Sequence, residues 1–460
     1  MSAVRRVAVA VVSWNGRRHL ETLLPALAAQ DDPGVPWEVL LFDNGSKDGT
    51  VDWVRREHPA VRVVESPVNV GFCAANNRLV EAAGDADAVA LLNNDTRPRA
   101  GWLAALVAAL AGAPADVAAV SGLIVDWPGE RLDFGRGVMT FDGHAFQLGF
   151  RRPLAGPGAA GLSADVPADG AELPFACGGN LLVRRTSFRA AGGFDEDYFA
   201  YLEDVDLGWR LWAGGERVLF ARDAVVHHRS SATSDLLGLY HRGFLFERNA
   251  LLTAFKNYDD ELWPKMMPAV LLTFAHRAQH LLVHQNPGGG ALAIDPYAGL
   301  IADTAAGGGG AAAPVVAAPP GAEPPARLAD LPERWRRYGT AELARRLAAR
   351  LGREIAARRP RLAAAPAVPE TPVLTDERTV AQLRAASWLF AHLDAAADRR
   401  RRVQARRRRP DAEYFARFPP YLVPTYPGDA ELFAGPGFRS LLPEELELVE
   451  RRLEEVIEVG

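Results

Sequence analysis

The chain has 460 residues, 48% of them apolar, which is enough for a large core and for two or three structural units. A formal net charge of −5, from 52 basic and 57 acidic side chains, argues against a globally basic surface for nucleic acid. Two cysteines, Cys73 and Cys177, exclude a disulfide framework and a four-thiolate metal site, and fit a reducing cytosol.

The N-terminus is basic, and the apolar run Val7–Val12 behind it is shorter than a signal h-region, so it predicts a first strand. Short β-rich runs follow at Glu38–Phe42, Val61–Glu65 and Ala88–Leu92, with helical patterns at about residues 17–29, 49–57, 71–83 and 99–110. This alternation predicts a βαβ series with a mostly parallel sheet, whose ligands bind beyond the carboxyl ends of the strands. At those ends stand Ser13-Trp14-Asn15-Gly16, Asp43-Asn44-Gly45-Ser46, Asn69-Val70-Gly71 and Asn93-Asn94-Asp95-Thr96. Each alone reads as turn chemistry, with Asp48 or Thr50 capping the next helix. Together they bring two carboxylates to one edge. Asp43 suits an N–H of a base, Asp95 suits a hard divalent cation, and Gly71 lets backbone approach a ligand. No G-x-G-x-x-G follows the first strand, and G-x-x-x-x-G-K-[ST] is absent, so diphosphate falls to Mg²⁺ or Mn²⁺ and scattered side chains.

Val117–Leu123 predicts another strand, Phe134–Phe150 a hairpin or loop, and Pro153–Gly170 a mobile segment. Gly178 and Gly179 permit close approach of backbone to a ligand before Leu181–Val183 enters the sheet, and Cys177 reads as a small buried residue. The stretch from Glu203 to Trp212 predicts an amphipathic helix, with Val205, Trp209 and Trp212 on one side and Glu203, Asp204 and Asp206 at its N-terminal end. Short strands at Val218–Phe220 and Ala224–Val226 lead into His227-His228, where one imidazole completes a site with Asp95, water and diphosphate oxygens. A helix from about 235 to 257 carries Arg242 and Arg248, facing phosphate or solvent.

Met266–Ala275 is too short to span a bilayer, whereas Leu262–Val283, with Trp263, Lys265 and Arg277, suits peripheral membrane contact. Thr304–Ala326 is an Ala/Gly/Pro linker, Arg327–Leu362 is helical in pattern, and Ala363–Pro372 is a second Pro-rich break. A helix over about Arg378–Gln404 runs into the arginines at 399–402 and 406–409, which meet anionic lipid or acidic groups of the same protein. No aromatic residue interleaves them, against nucleic acid as partner. Pro443–Val459 is expected as an acidic helix that neutralises the basic one, within a chain or between copies of a homo-oligomer.

The ordered set Asp43-Asn44-Gly45-Ser46, Asn69-Val70-Gly71-Phe72 with Asn76-Asn77, Leu91-Leu92-Asn93-Asn94-Asp95, Gly178-Gly179-Asn180, Gly192-Gly193-Phe194-Asp195-Glu196, Glu203-Asp204-Val205-Asp206 and His227 carries a resemblance. Over about residues 5–257 it resembles family 2 glycosyltransferases, particularly the rhamnosyltransferase and galactofuranosyltransferase-like branch. The resemblance implies an α/β GT-A nucleotide-diphospho-sugar transferase fold with a mostly parallel central sheet and a helical C-terminal extension. It divides the chain into a GT-A domain at 1–260, a helical, membrane-peripheral segment at 261–303, the linker at 304–326 and an accessory region at 327–460. It further implies a nucleotide-sugar donor such as dTDP-rhamnose or a UDP-sugar, Mg²⁺ or Mn²⁺, and inverting transfer to a hydroxyl of a glycan or lipid-linked acceptor in cell-envelope polysaccharide biosynthesis.

Carried over residue by residue, Asp43 holds the base with Ser13 and Asn15 nearby, and Gly71, Asn76 and Asn94 belong to the same nucleotide site. Asp95 and His227 hold the metal, Asn93 standing where the family usually has the first acid of Asp-x-Asp. Asp204 is the general base, Glu203 shapes its surroundings, and Asp206 is the alternative base; Gly178, Gly179 and Asn180 border the sugar and acceptor. The Q-x-x-R-W motif of processive members is missing, so transfer is non-processive, from the cytoplasmic face of the membrane. Two other classes stay open. A nucleotidyltransferase would show a Gly-rich, Lys- or Arg-bearing loop after the first strand, and a non-catalytic sugar- or lipid-binding scaffold would not need Asp204.

Overall fold

In the computed structural model, residues 4–154, 165–229, 238–284, 377–426 and 428–457 are described. Met1–Ala305 and Val373–Gly460 make up one compact unit, and 306–372, outside the described residues, a second. The linker expected at 304–326, the segments at 327–362 and 363–372, residues 155–164 of the Pro153–Gly170 segment and the side chain of Arg242 likewise lie outside the described residues.

The first half alternates as its patterning predicts: β1 (Val7–Ser13), α1 (Arg17–Ala28), β2 (Trp37–Asn44), α2 (Thr50–Glu57), β3 (Arg62–Ser66), α3 (Gly71–Ala82) and β4 (Ala88–Asn93). β1 is apolar on both faces because helices cover both, and it is buried from Val7 to Val11. α1 buries Leu20, Leu23, Leu24 and Leu27, one stripe at helical spacing. Strands β3, β2, β1 and β4 pair in parallel, with Ser13 opposite Asp43 and Asp43 opposite Glu65. Their polar carboxyl ends therefore fall on one edge.

Beyond β4 come β5 (Thr96–Pro98), α4 (Trp102–Gly112), β6 (Val117–Asp126) and β7 (Leu132–Phe134). The expected hairpin is β8 (Gly137–Met139) paired antiparallel with β9 (Ala145–Gln147). After β10 (Glu172–Leu173), β11 (Asn180–Arg184) inserts antiparallel between β4 and β6, and α5 (Arg185–Ala191) leads to the acid-bearing α6 (Glu203–Ala213). The two short strands expected at 218–226 form one strand, β12 (Arg217–His228), running parallel to β6 with a register shift between Ala221 and Val225. The sheet order is β10-β12-β6-β11-β4-β1-β2-β3, a mixed α/β GT-A-like arrangement.

Two long helices, α7 (Gly238–Asn257) and α8 (Trp263–His284), follow; after them come α9 (Glu377–Ala391), α10 (Leu393–Arg406) and α11 (Asp411–Arg417). Trp209 of α6 stacks on Tyr414 and donates its indole N–H to Asp411 at 2.8 Å, so the tryptophan packs the C-terminal region onto the acid helix. The arginine run acts within the chain. Arg399 pairs with Asp195 and Asp197, Arg400 donates to the Phe255 and Tyr258 carbonyls, and Arg407 bridges Asp411.

The chain ends in β13 (Tyr421–Leu422), α12 (Asp429–Ala434), α13 (Pro436–Arg439), β14 (Val449–Glu450) and α14 (Leu453–Val456). The acidic helix expected over 443–459 is not formed: β14 pairs parallel with β13, and helix is confined to α14. Leu446 and Leu448 pack on the core two residues apart, a spacing an extended chain meets and a helix does not. Two of its acids bind cations outside the arginine run, Glu445 with Lys265 and Glu450 with Arg439.

Candidate active site

A cavity of about 900 Å³ opens where β1 and β4 end, and Asn94, Asp95, Gly71, Gly178, Gly179, Glu203 and Asp204 all line it. The acids reach it through a strained turn. Phe199, Tyr201 and Leu202 have φ of 61°, 72° and 61°, in the left-handed region that bulky residues avoid. The turn is held from two sides. The Asn249 amide of α7 donates to the carbonyls of Tyr198, Ala200 and Tyr201, and Phe72 N–H at the start of α3 donates to Phe199 O at 2.7 Å. Gly71 is required there: φ is +86°, and an added Cβ would lie 2.6 Å from the Phe199 ring.

Glu203 is buried and Asp204, next to it, is half-buried at the cavity wall. Burial, and then the Asp204 charge, push the Glu203 carboxyl well above its usual range, and one of its oxygens has no hydrogen-bond partner. Burial also raises Asp204, although its Oδ2 accepts from Gly178 N–H at 3.0 Å and its Oδ1 from Val205 N–H at 2.8 Å. The two amide donors favour a charge on Asp204, so of the two Glu203 is the carboxyl that holds a proton more readily.

Across the cavity, Asp95 meets His228 at 3.2 Å, and the other nitrogen of His228 meets Asp133 at 3.0 Å. Burial works to lower the His228 pKa, but the hydrogen bonds to Asp133 and Asp95 outweigh it and raise it to about 10. Asp95 is correspondingly lowered against the opposing effect of burial. His227, the expected partner of Asp95, points elsewhere: its Nδ1 lies 3.2 Å from Trp127 O and its Nε2 lies 3.5 Å from Arg99. Neighbouring side chains on a strand leave on opposite faces, and the irregularity at 221–225 hides from simple counting which of the two histidines faces inward.

The remaining expected site residues lie outside the cavity wall. Ser13 is buried and accepts from the Asn94 amide at 3.2 Å. Asn15 fastens the β1 and β2 ends together, taking Ser46 Oγ on its N–H and Lys47 N–H on its side chain. Asp43 is 3% exposed; one oxygen accepts from Ser46 N–H and the other has no partner. Asn76 and Asn180 are structural: the first donates to Phe72 O, and the second accepts from Trp102 Nε1 and donates to Leu123 and Ala224 carbonyls. Asp206 is fully buried between Arg210 at 2.6 Å and Lys256 at 2.9 Å, and accepts from Asn257. Burial would raise it, but the two cations hold it at about 2, so the alternative base is a permanently ionised strut. Cys177 lines the cavity with its thiol pKa raised by burial.

Reading the sequence missed His228, Asp133, Trp14 and a polar corner of His144, Glu247 and Tyr426, all on the cavity wall. Only the His227-His228 pair carried a signal. Among the described residues no three or more His, Cys, Asp or Glu side chains form a ready cation cage.

Residues 8–191 match the family model "Glycosyl transferase family 2". An N-acetylglucosaminyl-diphospho-decaprenol L-rhamnosyltransferase of Mycobacterium tuberculosis is 32% identical over 262 residues, covering 53% of this chain and 84% of the relative. A pre-mycofactocin glycosyltransferase of the same organism is 30% identical over 177 residues, 37% of this chain and 33% of that one. Among solved structures, a mannosyltransferase from Pyrobaculum calidifontis in complex with GDP-Man and Mn²⁺ is 21% identical with a TM-score of 0.41, covering 66% of this chain and 81% of that one.

Proposed function

The chain belongs to glycosyl transferase family 2 and is a glycosyltransferase; from that premise we propose that it transfers a single deoxyhexosyl or hexosyl group, with inversion, from dTDP-rhamnose or a UDP-sugar to a hydroxyl of a lipid-linked glycan. The observation that carries the reading is a carboxylate pair with raised pKa values, Glu203 and Asp204, sharing one cavity with Asp95. Asp204 accepts the acceptor proton as the hydroxyl oxygen bonds to the anomeric carbon and the diphosphate leaves. Protonated Glu203 keeps a second negative charge away from it. Asp43 remains the residue proposed to accept from a nucleobase N–H, its one unpartnered oxygen supporting that role although it lies behind the cavity wall.

The carboxylate of Asp95 would hold Mg²⁺ or Mn²⁺ alongside diphosphate oxygens and water, and the ion would supply charge neutralisation for the leaving diphosphate. His228, bound at one nitrogen to Asp95 and at the other to Asp133, orients Asp95 from behind and is not itself a ligand while protonated. On the far side of this trio, Arg151 and Arg229 line a smaller cavity of about 220 Å³ and add positive charge. Asp95→Asn is expected to weaken Mn²⁺-dependent donor binding by about 10- to 100-fold, with little change in binding without metal. Titration calorimetry with each nucleotide sugar, with and without Mn²⁺, checks it; equal affinity in both proteins refutes the role.

Among the described residues no helix is long and apolar enough to cross a membrane. Met267, Leu271 and Leu272 of α8 are nevertheless 38%, 48% and 38% exposed, an apolar strip suited to the interface of a bilayer that presents the acceptor. Leu271→Glu with Met267→Glu is expected to abolish co-sedimentation with anionic phospholipid vesicles while leaving the unfolding temperature in place. Unchanged sedimentation would remove this surface from the reading. The function as a whole is tested by screening nucleotide sugars with Mg²⁺ or Mn²⁺ for protection against thermal unfolding. Protection by none of them overturns it.

A further inference from the structure

The cavity has a second polar corner that the donor and base chemistry does not use. Its groups come from three places: His144 from the turn before β9, Glu247 from α7, and Thr425 and Tyr426 from the C-terminal region between β13 and α12. Glu247 is 3% exposed, and one of its oxygens accepts from the Tyr426 hydroxyl at 2.6 Å and meets His144 at 3.2 Å. Behind them Arg277 joins Asp142 at 2.8 Å to Asp429 at 2.9 Å, and Asp429 accepts from the backbone N–H of Thr425 and Tyr426. The corner is therefore built and rigid, because each charged group on the wall is fixed by another behind it. Burial would lower the His144 pKa, but Asp142 and Glu247 keep the ring an imidazolium at about 10, so it is a donor throughout the neutral range.

Its position relative to the acids follows from contacts. Tyr201, in the strained turn, stacks on Phe246 at 4.6 Å, and Phe246 immediately precedes Glu247. Asp204 in turn reaches Gly178, beside which Gly179 packs against Asn93 next to Asp95. The acid pair is thus joined by contacts both to the Asp95 end of the cavity and to the Glu247 corner. Gln382 of α9, 1% exposed, backs Tyr426 from behind the cavity wall.

Resting on the glycosyltransferase reading, we propose that the Glu247–Tyr426–His144 corner is the subsite for the acceptor's sugar ring, its carboxylate and hydroxyl pairing with vicinal hydroxyls while His144, held between Glu247 and Asp142, fixes the carboxylate in place. A fixed carboxylate and a hydroxyl on an otherwise aromatic wall, with Phe146 and Phe246 adjacent, match a ring that shows hydroxyls at its edge and C–H groups on its face. The family match ends at residue 191, so Glu247 and Tyr426 lie beyond it while His144 lies within it. Acceptor choice is then set by α7 and the C-terminal region, and donor choice by the first half.

The test uses the full chain and methyl β-N-acetylglucosaminide as the sugar probe, read by saturation-transfer NMR in the presence of dTDP and Mn²⁺. The expected result is saturation of the probe by the wild type and an affinity about 10- to 100-fold weaker in Tyr426→Phe and in Glu247→Gln. The donor-induced rise in unfolding temperature should be the same in all three proteins. Wild-type affinity in both variants, or no saturation by the wild type, overturns the subsite while leaving the donor-induced rise intact. Loss of that rise in the wild type signals failure of the glycosyltransferase reading itself. Tyr426→Phe removes one oxygen from a side chain at the cavity wall, and its unfolding temperature without ligand shows whether the fold is kept.

Discussion

Replacing Asp204 by Asn is expected to lower kcat by about 10²- to 10⁴-fold, the range for removal of a positioned general base. The donor-induced rise in unfolding temperature should persist, because the role proposed for Asp204 is toward the acceptor hydroxyl and not the donor. Some stability is lost as well. Asp204 accepts from Gly178 N–H with one oxygen and from Val205 N–H with the other, so an amide must set its NH₂ against one of these donors, at a cost of about 1–3 kcal/mol. Glu203→Gln is the control. A carboxyl whose protonated form burial favours is replaced by a neutral group of the same shape, and kcat should stay within about tenfold, far above the Asp204 variant. Initial rates as a function of pH complete the check. The acid limb of kcat, set by deprotonation of Asp204, should lie above the ordinary carboxylate range and vanish in Asp204→Asn. Because the folded pKa values of this pair are raised, folding binds protons, and the pair's cost to stability grows as pH rises from about 4 through the folded values. Undiminished turnover in Asp204→Asn would refute the assignment.

The parallel half of the fold was legible because its signals are local. Runs such as Val7–Val12 and the leucine spacing of α1 each determine their own element, and the polar strand ends fall together once the strands are parallel. Gly71 and the acid pair could be read for the same reason, since they sit within short motifs whose conformation is set nearby. The histidine partner of Asp95 could not. Which of His227 and His228 faces inward depends on an irregularity whose cause is the pairing of β12 with β6, far away in sequence. Asp206 resembled Asp204 in sequence, but one helical step further in it meets Lys256 of α7 and Arg210, and contacts of that kind are tertiary. The corner of His144, Glu247 and Tyr426 joins groups 103 and 179 residues apart, with no spacing by which to find them. The arginine run gave a composition and no address. Its partners Asp195, Asp197 and Asp260 lie in segments that only the fold brings to it.

Asp206→Ala is expected to destabilise the protein by about 3–5 kcal/mol, more than any single cavity-lining change, because it strands two buried cations. The side chains of Arg210 and Lys256 are 7% and 2% exposed, and Asp206 bonds to both. Lys256 retains Asp195 at 2.7 Å, and Arg210 retains the Ala191 and Gly193 carbonyls, so the loss stays below that of two wholly unpaired charges. The pH dependence has a fixed sign. A carboxyl held at about 2 in the fold and near 3.9 in the unfolded chain contributes stability that is fully present above about pH 4 and is lost as pH falls through about 2. Urea unfolding of the wild type between pH 2 and 6, compared with Asp206→Ala, reads this directly, since the two curves should converge at the acid end. Removing one cation as well should restore part of the loss: Asp206→Ala with Lys256→Met is expected to be more stable than Asp206→Ala alone. A variant that kept its stability while kcat fell a hundredfold or more would give Asp206 the proton-accepting role assigned here to Asp204. That outcome is opposed by the geometry, because an ionised group already bound to two cations and the Asn257 amide is a poor base for a hydroxyl.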